Sequence, residues 1–258
     1  NEHFYDKDGN LVTDSYVFST KYNYNNTIYP FYVDKNGDKL KGEQIINGKS
    51  VYFDKYDGAQ VRNSVADNGR FYDQDGNLVD LGKKHYVFID NHWFYVDEDG
   101  KILKGEQVID GNNFYFDKDG KQVKGNFAEN GAYYDENSGV QVTNRYVNFN
   151  NNWYRIGAKG TPLKGAHVVD GHNVFFDQDG KQIKGDFASD GYYYSKNSGD
   201  RVDLGQNHYQ NINNNWYYIG NDGKRLTGEQ VIDGVKVYFT PYYGYQIKGD
   251  FNSYGQFY

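Results

Sequence analysis

Apolar and polar positions alternate in short runs along this chain, and run after run ends at an Asn-Gly or Asp-Gly pair. The clearest case opens at Gly105: GEQVIDGNNFYFDKDGKQVKG. Val108-Ile109 leads into Asp110-Gly111, and Phe114-Tyr115-Phe116 follows. Two-residue hairpin turns need positive φ at both central positions, which Asp-Gly and Asn-Gly adopt at little steric cost. The segment therefore predicts a β-hairpin. It recurs from Gly42, Gly165 and Gly228, at spacings of 63, 60 and 63 residues. Self-similarity at a fixed period marks a repeat architecture.

Two other hairpins fill each period. The first runs from His85 to Val96, turning at Asp90-Asn91 or Asn91-His92, with counterparts from Arg145 to Ile156 and from His208 to Ile219. The third is shorter, from Asn126 to Tyr134, and is echoed from Ser64, Asp186 and Asp250. The opening period departs from the pattern. Its first hairpin, Tyr16 to Val33, is longer, and Pro30 stands where Trp93, Trp153 and Trp216 stand later. Proline cannot donate to a ladder, so this hairpin is expected to be irregular or at an edge.

A lone hairpin is marginal in water, whereas stacked units bury a continuous spine. Period-two alternation puts Val51/Phe53, Phe114/Phe116, Val174/Phe176 and Val237/Phe239 on one face, the expected spine. The expected fold is thus all-β, a β-solenoid of stacked hairpins with three per period. Residues 1–258 read as one repeat-built domain. The chain starts and stops inside a repeat, so it reads as a fragment of a longer protein.

Composition narrows the function. There are 28 Tyr against 8 Leu, no Met and no Cys, which argues against a helical core and excludes disulfides and metal–thiolate sites. The net charge of −7 disfavours nucleic acid. No apolar run reaches the roughly eighteen residues of a membrane helix, so no membrane insertion is expected. The Asp-rich turns lack the distal ligands of a calcium loop, and the six His show no metal spacing. No metal and no cofactor are expected. Carboxylates are spread by the repeat rather than gathered in one asymmetric constellation, which argues against catalysis.

Between the two spine positions of each central hairpin lies an aromatic expected to point outward, with a Gln or His near the start of the unit and a basic residue near its end. The sets are Gln44/Tyr52/Arg62, Gln107/Tyr115/Lys124, His167/Phe175/Lys184 and Gln230/Tyr238/Lys248. An aromatic plate with amide and ammonium donors suits the C–H face and hydroxyls of a neutral sugar. The alternative is that these rings pack between successive hairpins and the cations solvate the surface. A strict two-residue turn would also pair Gln107 with Phe114, on the spine face.

The units (W/F)-(Y/F)-Y-(V/I)-x-x-x-G-K-x-L-K-G and G-E-Q-V-I-D-G-x-x-x-Y-F-D-x-D-G-K-Q-V-K-G resemble the cell-wall-binding/glucan-binding repeats. They look most like those of the accessory glucan-binding domain (domain V) of lactic acid bacterial glucansucrases, glycoside hydrolase family 70. The resemblance spans essentially the whole chain. It implies a β-solenoid, a secreted or cell-wall-associated monomer, and pockets for α-glucan chains or isomalto-oligosaccharides. In that family an aromatic with Gln and Lys serves each pocket. This carries over to Gln107, Tyr115 and Lys124 and to Gln230, Tyr238 and Lys248. The first unit departs at Arg62 and Asn63 and the third at His167 and Phe175. Related hairpins bind choline or cell-surface oligosaccharides. Choline cages are typically built on Gly-Trp at the unit start, where this chain has Gly-Glu or Gly-Ala. A purely structural spacer is the remaining alternative.

Overall fold

The computed structural model describes residues 3–20 and 28–258. Within these the chain is strands, turns and bends, with no helix. The sheets are small, two or three antiparallel strands each. The central hairpins pair Gly42–Ile46 with Lys49–Phe53, Gly105–Ile109 with Asn112–Phe116, Gly165–Val169 with His172–Phe176, and Gly228–Ile232 with Val235–Phe239. Their turns take the expected conformation: at Asp110-Gly111 the φ angles are 50° and 77°. The first hairpins include His85–Ile89 with His92–Val96 and Arg145–Phe149 with Asn152–Ile156. Asp90 and Asn91 both have positive φ, which fixes that turn at Asp90-Asn91.

The opening hairpin is regular on both arms. Ser15–Thr20 pairs with Ile28–Val33, and Phe18 faces Pro30 as Phe88 faces Trp93. The tip, residues 21–27, lies outside the described residues. Of the two alternatives expected for Pro30 the described arms take the edge: in a two-stranded sheet each strand is an edge. Alternate N–H groups point out of such a ladder, so a proline at an outward site removes no ladder bond.

The chain divides into two compact units, Asn1–Glu129 with Tyr134–Gln141, and Asn130–Tyr133 with Val142–Tyr258. Within each unit, single backbone bonds tie a linker to the preceding hairpin. Gln60 N donates to Pro30 O at 2.8 Å, and Gln122 N to Trp93 O at 2.7 Å. In the second unit Gln182 N donates to Trp153 O at 2.7 Å.

The residues that alternation puts on one face are buried as expected. Phe53, Phe116, Phe176 and Phe239 are fully buried. The intervening aromatics are covered as well, by the third hairpins. Tyr52 meets Tyr72 at 5.8 Å between ring centroids, Tyr115 meets Tyr134 at 5.9 Å, Phe175 meets Tyr194 at 5.8 Å, and Tyr238 meets Tyr258 at 5.4 Å. All four pairs are tilted, at centroid distances within the 4.5–7 Å range of aromatic pairs.

So many half-buried phenols set an alkaline limit. Burial raises the pKa of Tyr16, Tyr52, Tyr72 and Tyr217, and pushes Tyr86 up to about 12 from 10.0. A raised folded-state pKa means that this stability is complete below pH 10 and is lost as pH climbs through about 12. Tyrosinate absorbance is expected to rise together with loss of the hairpin circular-dichroism signal. Titration of all tyrosines with the signal intact would contradict this.

Candidate functional site

The tyrosine that opens each first hairpin is fixed from two sides. Cross-strand, Tyr16 meets Tyr32, Tyr86 meets Tyr95, and Tyr209 meets Tyr218, all edge-on at 4.9–5.1 Å. Tyr146 instead lies under Arg155 at 5.5 Å. Each of the four rings also approaches the spine of the next hairpin, at Phe53, Phe114, Phe176 and Phe239. Burial is the main cause of the raised pKa of Tyr16 and Tyr146, so both phenols stay protonated donors at neutral pH.

Over two of these rings the chain builds matching crevices. In the third period Tyr146, Trp153, His172, Gln182, Lys184 and Asp200 surround about 320 Å³. In the first, Tyr16, Lys49, Gln60, Arg62, Asp75 and Asn77 surround about 360 Å³. Both fall at the small end of the roughly 300–1,000 Å³ of ligand sites. The first and central hairpins, the linker after the central one and the turn after the third hairpin contribute to each. The turn residue after the central Asp-Gly or Asn-Gly supplies Lys49 or His172, and the linker supplies Gln60/Arg62 or Gln182/Lys184.

The linker glutamines are held tightly. Gln60 is 5% exposed; its Nε2 lies 3.4 Å from the Tyr16 hydroxyl and 3.5 Å from Gly76 O, while its Oε1 accepts from Arg62 Nε at 3.2 Å. A Cβ at Gly76 would come within 2.3 Å of that Nε2, and one at Gly199 within 2.4 Å of Gln182 Nε2. Glycine is required at both places, the more so because φ there is +83° and +77°. In the third crevice His172 Nδ1 lies 2.9 Å from Asp200 Oδ1. Lys184 Nζ donates to Asn197 O at 3.3 Å and lies over Trp153 at 5.7 Å. The fourth period repeats the set: Lys248 Nζ lies over Trp216 at 5.5 Å and Tyr209 at 5.7 Å. The Tyr86 hydroxyl and Gln246 Oε1 are buried without a hydrogen-bond partner in this arrangement.

The residues singled out from sequence divide between these places. Arg62 and Lys184 line crevices, and Lys124 and Lys248 hold the same linker position. The aromatics do not stand out as open plates: Tyr52, Phe175 and Tyr238 are buried and Tyr115 is half-buried. The early polar residues fold back on their own chain. Gln44, Gln107 and Gln230 donate to the carbonyls of Lys41, Lys104 and Thr227 at 2.7–2.8 Å, and His167 Nε2 lies 3.0 Å from Lys164 O. Gln107 does pair with Phe114 on the spine face. Sequence reasoning missed Tyr16, Tyr146, Gln60 and Gln182. The signal was present: Gln-x-Lys/Arg closes all four central units, and a Tyr stands second in all four first hairpins.

Choline-binding repeat models match residues 103–146 and 163–203, and the putative cell wall binding repeat matches 86–102 and 207–224. These residues thus carry choline-binding and cell-wall-binding repeats. It is 37% identical over 262 residues to Glucosyltransferase-S of Streptococcus mutans serotype c, covering 97% of this chain and 17% of that protein. With Glucosyltransferase-I of Streptococcus downei it shares 34% over 269 residues, covering 94% and 15%. The chain thus spans about one-sixth of the curated relatives it matches. Among solved structures, choline binding protein F of Streptococcus pneumoniae superposes with a TM-score of 0.44 at 20% identity, covering 95% of this chain and 99% of that one. Alternansucrase in complex with isomaltononaose gives 0.28 at 26% identity, covering 94% and 17%.

Proposed function

We propose that residues 1–258 form a non-catalytic, dextran-like α-glucan-binding domain that helps an attached glucansucrase hold or elongate its polymer. The observation that carries this reading is the recurrent crevice, in which a fixed tyrosine, a linker glutamine and a basic residue converge. A half-buried phenol, an amide and an ammonium give a pyranose one apolar face and several hydroxyl partners. The extended identity to glucosyltransferases supports glucan as the ligand and a secreted or cell-wall setting. The period of three hairpins supports a β-solenoid, with the chain acting as a monomer.

Choline fits the crevices poorly. Lys184 and Lys248 already hold their ammonium groups over the aromatic faces a quaternary ammonium would need, and like charges repel there.

Gel retardation of the purified chain with dextran, starch and mutan tests the reading. Retention by dextran is expected, with sucrose and α-glucans unchanged on incubation. Absence of retention by every glucan would overturn the binding function, and turnover would overturn the non-catalytic assignment.

A further inference from the structure

The first and third crevices share a plan but differ in charge. At the position after the central turn glycine the four units carry Lys49, Asn112, His172 and Val235. After the glycine of the turn that follows the third hairpin, Gly199 or Gly76, Asp200 in the third crevice is replaced by Asn77 in the first. In the third crevice Asp200 engages His172 at 2.9 Å, and Asp170 adds a second carboxylate. In the first, Asn77 offers Lys49 no charge, and Asp75 is the one carboxylate among the lining residues. The first crevice therefore holds two permanent cations against one carboxylate. The third holds one permanent cation against two carboxylates and a histidine.

Arg62 is also oriented. Its Nε donates to Gln60 Oε1, and Gln60 is itself locked between Tyr16 and Gly76. Neither terminal nitrogen of the guanidinium has an acceptor among the described residues, and Lys49 has no ion-pair partner there. A planar guanidinium fork held by its Nε matches a carboxylate or phosphate bidentately; a lysine at the same place is only a point charge. The homologous Lys184 is already donating to Asn197 O.

We propose that the first crevice binds an anionic saccharide unit, a sugar or polyol bearing a carboxylate or phosphate, with Lys49 and Arg62 taking the anion and Tyr16 the ring or chain beside it. This rests on the reading of the crevices as saccharide sites. It adds a second ligand class to the one the third crevice takes. The chain as a whole carries −7, so long-range attraction to a polyanion is unfavourable and screened beyond about 8 Å at physiological salt. Uptake of an acidic polymer must come from a local site.

The test is affinity electrophoresis of the intact 258-residue chain with polygalacturonate, with a poly(glycerol phosphate), and with dextran. Retention by at least one acidic polymer is expected. Lys49→Gln with Arg62→Gln should weaken it about tenfold or more, and Arg62→Lys should weaken it partly. Lys35→Gln with Lys118→Gln, which removes the same charge from turns outside the crevice, should leave it unchanged. The two acidic polymers separate a carboxylate-bearing from a phosphate-bearing ligand. No retention by either polymer would overturn the proposal, and so would equal weakening in the turn-lysine control. The unmodified chain on dextran reports separately on glucan binding: failure there with acidic retention intact sinks the glucan reading and leaves the anionic site standing.

Discussion

Retention on high-molecular-weight dextran is expected to collapse as the crevice tyrosines are removed, whereas a trisaccharide, which engages one crevice at a time, binds weakly even to the unmodified chain. One shallow crevice gripping one or two rings should bind at about millimolar level, about −4 kcal/mol. Linked sites raise avidity by roughly 10²–10⁴-fold without any new contact. Tyr146→Ala with Tyr209→Ala, in the third- and fourth-period sets, should therefore lower polymer retention by about 10²-fold. Lys184→Ala, which leaves the buried aromatics in place, gives the same direction at smaller size and guards against misfolding as the cause. Equal affinity for a trisaccharide and for the polymer would point to a single dominant site.

The largest stability effect belongs to the spine. Phe116 is fully buried and packs with Ile109 and Phe114, so Phe116→Ala should cost about 3–5 kcal/mol. Phe175→Ala should approach that figure. Its ring is buried against Tyr194 and Ala188. Val108→Ala, at 71% exposure, should change stability by less than about 0.5 kcal/mol. Denaturant midpoints for the three variants check the ordering. A Phe175→Ala chain that keeps its stability and loses glucan retention would return that ring to the binding surface.

Local chemistry was legible residue by residue. Asp-Gly and Asn-Gly turns define hairpins whatever surrounds them, because the preference for positive φ sits in those residues themselves. The two-residue turn then sets the register, and Gln107 falls opposite Phe114 as that rule requires. Alternation placed Phe53, Phe116, Phe176 and Phe239 on the buried face for the same reason: side chains along a strand have period two.

What the other face meets is a different kind of question. Tyr52, Tyr115, Phe175 and Tyr238 point away from the spine, and alternation cannot say whether water or another hairpin lies there. Tertiary structure decided it by laying Tyr72, Tyr134, Tyr194 and Tyr258 against them. The crevices have the same origin. Tyr146, His172, Gln182 and Asp200 come from two hairpins, a linker and a later turn and converge only when these pack. The repeat determined from sequence alone that such a site recurs and which residue types it can draw on. Packing determined which tyrosine and which glutamine meet, because a two-stranded sheet leaves both faces and both edges open to its neighbours.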